Sequence, residues 1–132
     1  MARPLAIAVL LSFLIAPAAP AASSLAQLRL HEISLRKRAT RQVLPQYPEV
    51  SKKSGAKGVT VSMLDIDEEG NVAGVDVLEA PDSPIRAAVA DAVKLWKFKP
   101  ATVNGKPVRL RGKLTFYYVI EGGNARVENP KQ

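Results

Sequence analysis

The chain has 132 residues, a single histidine and no cysteine, and 19 lysines and arginines against 12 acids give it a formal charge of +7. This length holds one domain with terminal extensions and not two separate cores. Without cysteine there is no disulfide, thiolate metal site or thiol nucleophile, and His31 alone makes neither a multi-histidine site nor a supported catalytic triad. One Trp, three Tyr and three Phe leave the core small and mostly aliphatic.

Arg3 precedes an apolar run over residues 5–15, broken only by Ser12, and then Ala16-Pro17-Ala18-Ala19-Pro20-Ala21-Ala22. A basic start, an apolar stretch of this length and small residues in an A-x-A pattern read as a secretory signal over residues 1–21, cut before Ala22. The rival reading is an uncleaved inner-membrane anchor. A span needs about 20 apolar residues, and here the required length would have to include Pro17 and Pro20. Either way the remainder is expected outside the cytoplasm, in the periplasm, and nucleic acid is not an expected partner.

Residues 22–44 form a basic lead-in. Leu25, Leu28 and Leu35 can share a helical face; Leu28, Leu30, Ile33 and Leu35 fit a slipped strand equally well, so the pattern does not arbitrate. The segment is expected to be solvated. Arg36, Lys37, Arg38 and Arg41 give it a means of touching anionic lipid. Leu44-Pro45-Gln46-Tyr47-Pro48 is extended, and Pro48 opens a short helix over residues 49–54 that Gly55 ends.

Residues 59–67 read as a strand with Val59, Val61 and Met63 on one face and Leu64 and Ile66 on the other, which calls for apolar cover on both faces or a bulge. Gly70 or Asn71 makes the turn into a second strand at residues 72–79. Asp82 and Ser83 compete to cap a helix that Pro84 begins. Its buried face is Ile85, Ala88, Val89, Ala92 and Trp96, and Lys94, Lys97 and Lys99 lie at its end before Pro100. After an Asn104-Gly105 turn, residues 108–120 form a long closing strand. Residues 122–132 are expected to be a disordered tail. The expected fold is α+β, in the order α-β-β-α-β, with a three-stranded antiparallel sheet packed on two helices.

Four pieces in this order resemble the C-terminal domain of the TonB energy-transducer family. They are Pro45-Gln46-Tyr47-Pro48, similar to P-x-Y-P; Gly58 and the hairpin turning at Gly70; Trp96-Lys97-Phe98-Lys99-Pro100-Ala101, similar to W-[RK]-[FY]-x-P-A; and Gly105-Lys106-Pro107-Val108, similar to G-x-P-V. Leu114-Thr115-Phe116 resembles the closing strand. The likeness covers residues 45–120, and the expected domain is residues 45–121. Thr60 and Ser62 depart from it by standing where the family prefers apolar residues, and no long proline-rich spacer precedes Pro45. Trp96, Phe98, Leu114 and Phe116 are expected to be structural core.

The resemblance implies a protein-binding module linked to TonB-dependent transport through the envelope, with an outer-membrane receptor or other envelope protein as partner. Its mode would be strand addition of an extended receptor peptide, backbone hydrogen bonds supplying affinity. Gln46 and Tyr47 would border that site, and Lys113, Thr115, Tyr117 and Val119 would line it on an exposed edge of the last strand. Alternatives are an anchored energy transducer, if the N-terminus stays uncut, and an assembly protein that forms a homodimer through the same edge. No catalytic constellation, cofactor or metal site is expected, because no nucleophile or acid–base pair is arguable and the acids at residues 65–69 lack calcium-loop spacing.

Overall fold

The computed structural model describes residues 27–131, so the expected signal or anchor at residues 1–21 lies outside the described part. Among the described residues no helix is long and apolar enough to cross a membrane. In chain order the elements are β1 (Gln27–Leu30), α1 (Glu32–Arg38), β2 (Ala39–Arg41), α2 (Glu49–Ser54), β3 (Gly58–Ile66), β4 (Val72–Glu79), α3 (Ser83–Val93), β5 (Lys97–Phe98), β6 (Ala101–Val103), β7 (Lys106–Glu121) and β8 (Asn124–Glu128).

The sheet is larger than the three strands expected from sequence, and it carries three helices rather than two. β3, β4 and β7 form its antiparallel centre, and six strands join it in all, with β1, β6 and β8 each pairing with β7. β2 and β5 make a separate two-stranded ladder. Of the three additional strands, β6 comes from the stretch before the Asn104-Gly105 turn, and β1 and β8 come from the lead-in expected to be solvated and the tail expected to be disordered. The lead-in is both strand and helix: β1 runs parallel to β7, and α1 puts Leu35 fully into the core. The expected tail instead turns back through Gly122 and Gly123, both at positive φ, and pairs as β8 with residues 117–121. Of the five lead-in cations, Arg36 and Arg38 are committed to the fold by their own side chains. Arg36 is buried, and Arg38 donates to the carbonyls of Lys99 (3.2 Å) and Pro100 (2.7 Å).

β3 alternates strictly and without a bulge, in continuous register with β7 from Gly58 opposite Tyr118 to Ile66 opposite Leu110. Thr60, Ser62, Leu64 and Ile66 face the helices; Val59, Val61, Met63 and Asp65 face an open side. The two small hydroxyl residues are thereby buried. Thr60 bonds the Phe116 carbonyl, whereas the Ser62 Oγ has no partner among the described residues. The bulges lie on β4, where Ala73 and Leu78 are extra residues in the ladder.

Asp82, not Ser83, caps α3, accepting the Ile85 amide at 2.8 Å, and it also accepts the Ser51 hydroxyl from α2 at 2.7 Å. The helix stops at Val93, earlier than its apolar spacing suggested. Trp96 therefore reaches the core from the loop beyond, and Lys97 and Phe98 belong to β5. Extending this stretch allows the Trp96 indole N–H to bond the Val43 carbonyl at 2.8 Å and the Phe98 amide to bond the Gly70 carbonyl at 2.9 Å.

Gly70 has φ +89°, and a Cβ there would sit 1.9 Å from the Phe98 oxygen. Gly70→Ala is therefore expected to destabilise the protein by about 2–3 kcal/mol, from strain and lost hydrogen bonding together. Urea unfolding checks this; a loss below about 0.5 kcal/mol would contradict the close approach.

Candidate functional site: the outer edge of β7

Thr115 defines how β7 presents its backbone. Its amide donates to Glu32 Oε1 at 2.7 Å and its carbonyl accepts from an Arg36 Nη at 2.6 Å, so both groups point away from β3. By the alternation of a strand, the odd-numbered residues from 109 to 121 present their N–H and C=O to this outer edge, while even-numbered residues bond β3. The odd-numbered side chains lie on the open face; Leu110, Leu114, Phe116 and Tyr118 point into the core.

The edge is not free, contrary to the exposed closing strand expected from sequence. Three separate pieces cover it. β1 pairs with residues 109–112, α1 holds Thr115 through two side chains, and β8 pairs with residues 117–121. The α1 contact is the firmest. Glu32 also accepts the Thr115 hydroxyl (2.8 Å) and bonds Arg36 (2.9 Å). Arg36 continues to the Asn129 side chain (3.0 Å) and stacks over Trp96 and Phe116, 5.6 and 5.3 Å from the ring centroids. Sequence reasoning missed this pair. Its i, i+4 spacing was visible, but nothing in the residue pattern pointed to Thr115 as its target.

Lys113, Thr115, Tyr117 and Val119 do share one face, with Tyr117 opposite Val59 and Glu128, and Val119 opposite Arg126. Gln46 and Tyr47 do not join them. They lie against the opposite face, where the Gln46 carbonyl accepts the Tyr118 hydroxyl at 3.1 Å and the Tyr47 ring meets Tyr118 edge-on at 4.9 Å. The Tyr47 hydroxyl bonds the Ala56 carbonyl and so fastens the Pro-x-Tyr-Pro segment beneath the sheet. Trp96, Phe98, Leu114 and Phe116 are buried together in the core. On the open face Arg111 pairs with Asp65 (2.6 Å) and Arg109 with Glu68 (3.3 Å); among the described residues Lys113 makes no ion pair.

Residues 43–120 match the family model described as the Gram-negative bacterial TonB protein C-terminal. The chain belongs to this TonB C-terminal family. It is 35% identical over 77 residues to protein TonB of Xanthomonas campestris pv. campestris, covering 58% of this chain and 34% of that protein. To protein TonB of Vibrio cholerae it is 29% identical over 82 residues, 61% of this chain and 34% of that one. It thus spans about a third of the length of these relatives. The solution NMR structure of the Pseudomonas aeruginosa TonB C-terminal domain superposes with a TM-score of 0.53 at 27% identity, over 64% of this chain and 86% of that one. β1, α1 and β8 lie outside the matched TonB segment, so the covering of β7 comes from flanking sequence.

Two predictions test this arrangement. Arg36→Met leaves the partly buried Glu32 without its cation and is expected to cost about 3 kcal/mol, with the Glu32→Leu/Arg36→Met double variant costing less than Arg36→Met alone. A denaturant double-mutant cycle checks it, and strictly additive losses would refute the coupling. For Tyr118, burial raises the phenol pKa above its ordinary value, with Tyr47 and Asp82 adding to the rise. The unfolded chain therefore deprotonates first, so stability is fully present below pH ~10 and falls as pH rises beyond it. Tyr118→Phe should lower stability by about 1 kcal/mol at neutral pH, through the lost bond to Gln46, and flatten the alkaline decline. Unfolding curves from pH 8 to 11.5 measure both.

Proposed function

We propose that this chain is a TonB-type protein-binding module of the cell envelope, acting in receptor-linked transport, and that it binds by receiving an extended segment of an outer-membrane receptor along the outer edge of β7. It acts through binding, not catalysis, and works in the periplasm. The observation carrying this reading is that the outer edge of β7 already receives strands, parallel at one end and antiparallel at the other, each only a few residues long. An edge whose amides and carbonyls are held by separable pieces can exchange a piece for a guest strand at little net loss of hydrogen bonds. The opposite margin of the sheet suits this less well, because the bulges at Ala73 and Leu78 interrupt its ladder.

The open face supports the same reading. Val59, Val61, Met63, Tyr117 and Val119 form an apolar strip there, beside Lys113 and the Arg111–Asp65 and Arg109–Glu68 ion pairs. A guest strand on β7 would continue that face, with every second side chain beside the strip.

Amide hydrogen exchange on the full chain, with synthetic peptides carrying the periplasm-facing N-terminal segments of outer-membrane receptors, tests the proposal. Added protection should concentrate on the odd-numbered amides of residues 109–121. Protection centred on β4 or α3 instead would assign the partner to another surface.

A further inference from the structure

β1 and α1 are adjacent in sequence but unequal in how they are held. α1 is anchored by Leu35 and Arg36, both buried, and by the grip on Thr115. β1 has three exposed residues out of four, and its fourth, Leu30, only packs against the margin of the core. Its single side-chain bond to the sheet is from Gln27 to Asp65, at 2.9 Å. Only His31 separates the two elements, and it makes no side-chain cap to α1.

β1 also carries a mismatch. Its register places Arg29 directly opposite Arg111. Both side chains lie on the open face, and like charges directly across a ladder oppose pairing. The nearby carboxylates are already engaged: Asp65 bonds both Arg111 and Gln27, and Glu32 bonds Arg36 and Thr115. Around Arg29 lies a cavity of about 280 Å³ lined by Met63, Arg111, Gly112, Lys113, His31 and Glu32. On the other face, the Leu30 carbonyl and the Leu35 side chain both crowd Gly112, 3.1 and 2.8 Å from where its Cβ would be. This niche admits an aliphatic residue in the guest strand beside Gly112 and favours a carboxylate one position before it.

We propose that β1 is a displaceable internal occupant of the β7 edge at residues 109–112, and that the guest it yields to is an extended segment running parallel to β7 with an acidic residue at the position of Arg29 and an aliphatic one at that of Leu30. This rests on the reading of β7 as the receptor-accepting edge, and specifies which stretch opens, in which direction and for what charge. α1 stays in place and marks the end of the opened stretch at Thr115. A tethered occupant competes at high local concentration, so its removal strengthens guest binding with no new contact.

Two substitutions at exposed positions act in opposite directions. Because the odd-numbered residues of β7 face outward, the parallel ladder points the Leu28 amide at β7, and Leu28→Pro deletes that donor without touching the core. Arg29→Glu replaces the repulsion with attraction to Arg111. In the full chain, Leu28→Pro is expected to speed amide exchange at Arg111 and Lys113 at least tenfold while leaving Thr115 and Leu114 unchanged; Arg29→Glu is expected to slow it. A labelled peptide of residues 24–31 carrying the Arg29→Glu change should bind Leu28→Pro about tenfold more tightly than wild type, and Arg29→Glu more weakly than wild type. Unchanged exchange, equal acceleration at Thr115, or equal peptide affinity for all three proteins would overturn displacement. If receptor-segment peptides nonetheless protect β7 equally in all three, the receptor-accepting edge survives and only the role of β1 is lost. If they protect β7 in none, the reading of the edge fails as well.

Discussion

The ion pair between Glu32 and Arg36 does the work of a missing strand. Between the end of β1 and the end of β8, the backbone of Thr115 faces outward with no strand beside it among the described residues. A carboxylate and a guanidinium, one helical turn apart, supply the acceptor and the donor that a neighbouring strand would have offered. The same guanidinium lies over Trp96 and Phe116 and reaches Asn129. One side chain thus joins the lead-in helix, the aromatic core, the central strand and the C-terminal hairpin. Removing its charge would strand a carboxylate and leave a strand carbonyl without its donor, and for that reason the two flanking segments and the central strand form one body.

Much of this architecture could be read from residues, and the failures have identifiable causes. The strand at residues 72–79, the alternation in residues 108–120, the proline-initiated helix at Pro84 and the glycine turn at Gly70 rest on local signals, and each corresponds to an observed element. Trp96 was placed on the wrong kind of element because its spacing from Ala92 continues the helical period. Tertiary bonding to Val43 and Gly70 decided instead for an extended chain after Val93. The lead-in gave two compatible periods because it contains both a strand and a helix within twelve residues. Its basic surface concealed one buried leucine and one buried arginine, and burial of an arginine depends on distant partners that no local pattern encodes.

The site was less legible than the fold. That the odd-numbered side chains from Lys113 to Val119 share a face follows from strand periodicity. Which strand margin lies open does not, since it depends on where flanking segments return. Gln46 and Tyr47 were separated from the other four residues for a related reason. The family motif they belong to fastens the chain beneath Tyr118, on the face opposite Thr115 and Tyr117. A motif can specify a fold while its residues contribute to a site only by holding that fold in place.

The irregular margin formed by β4 has a consequence for valency. Extra residues at Ala73 and Leu78 break the even spacing that a second copy's strand would need. Growth of the sheet is then confined to one side, and end-to-end stacking of copies into a continuous ribbon is disfavoured. If a guest strand adds along β7 as proposed, each molecule would take one strand without passing sheet order on to a further neighbour, which suits a one-to-one encounter.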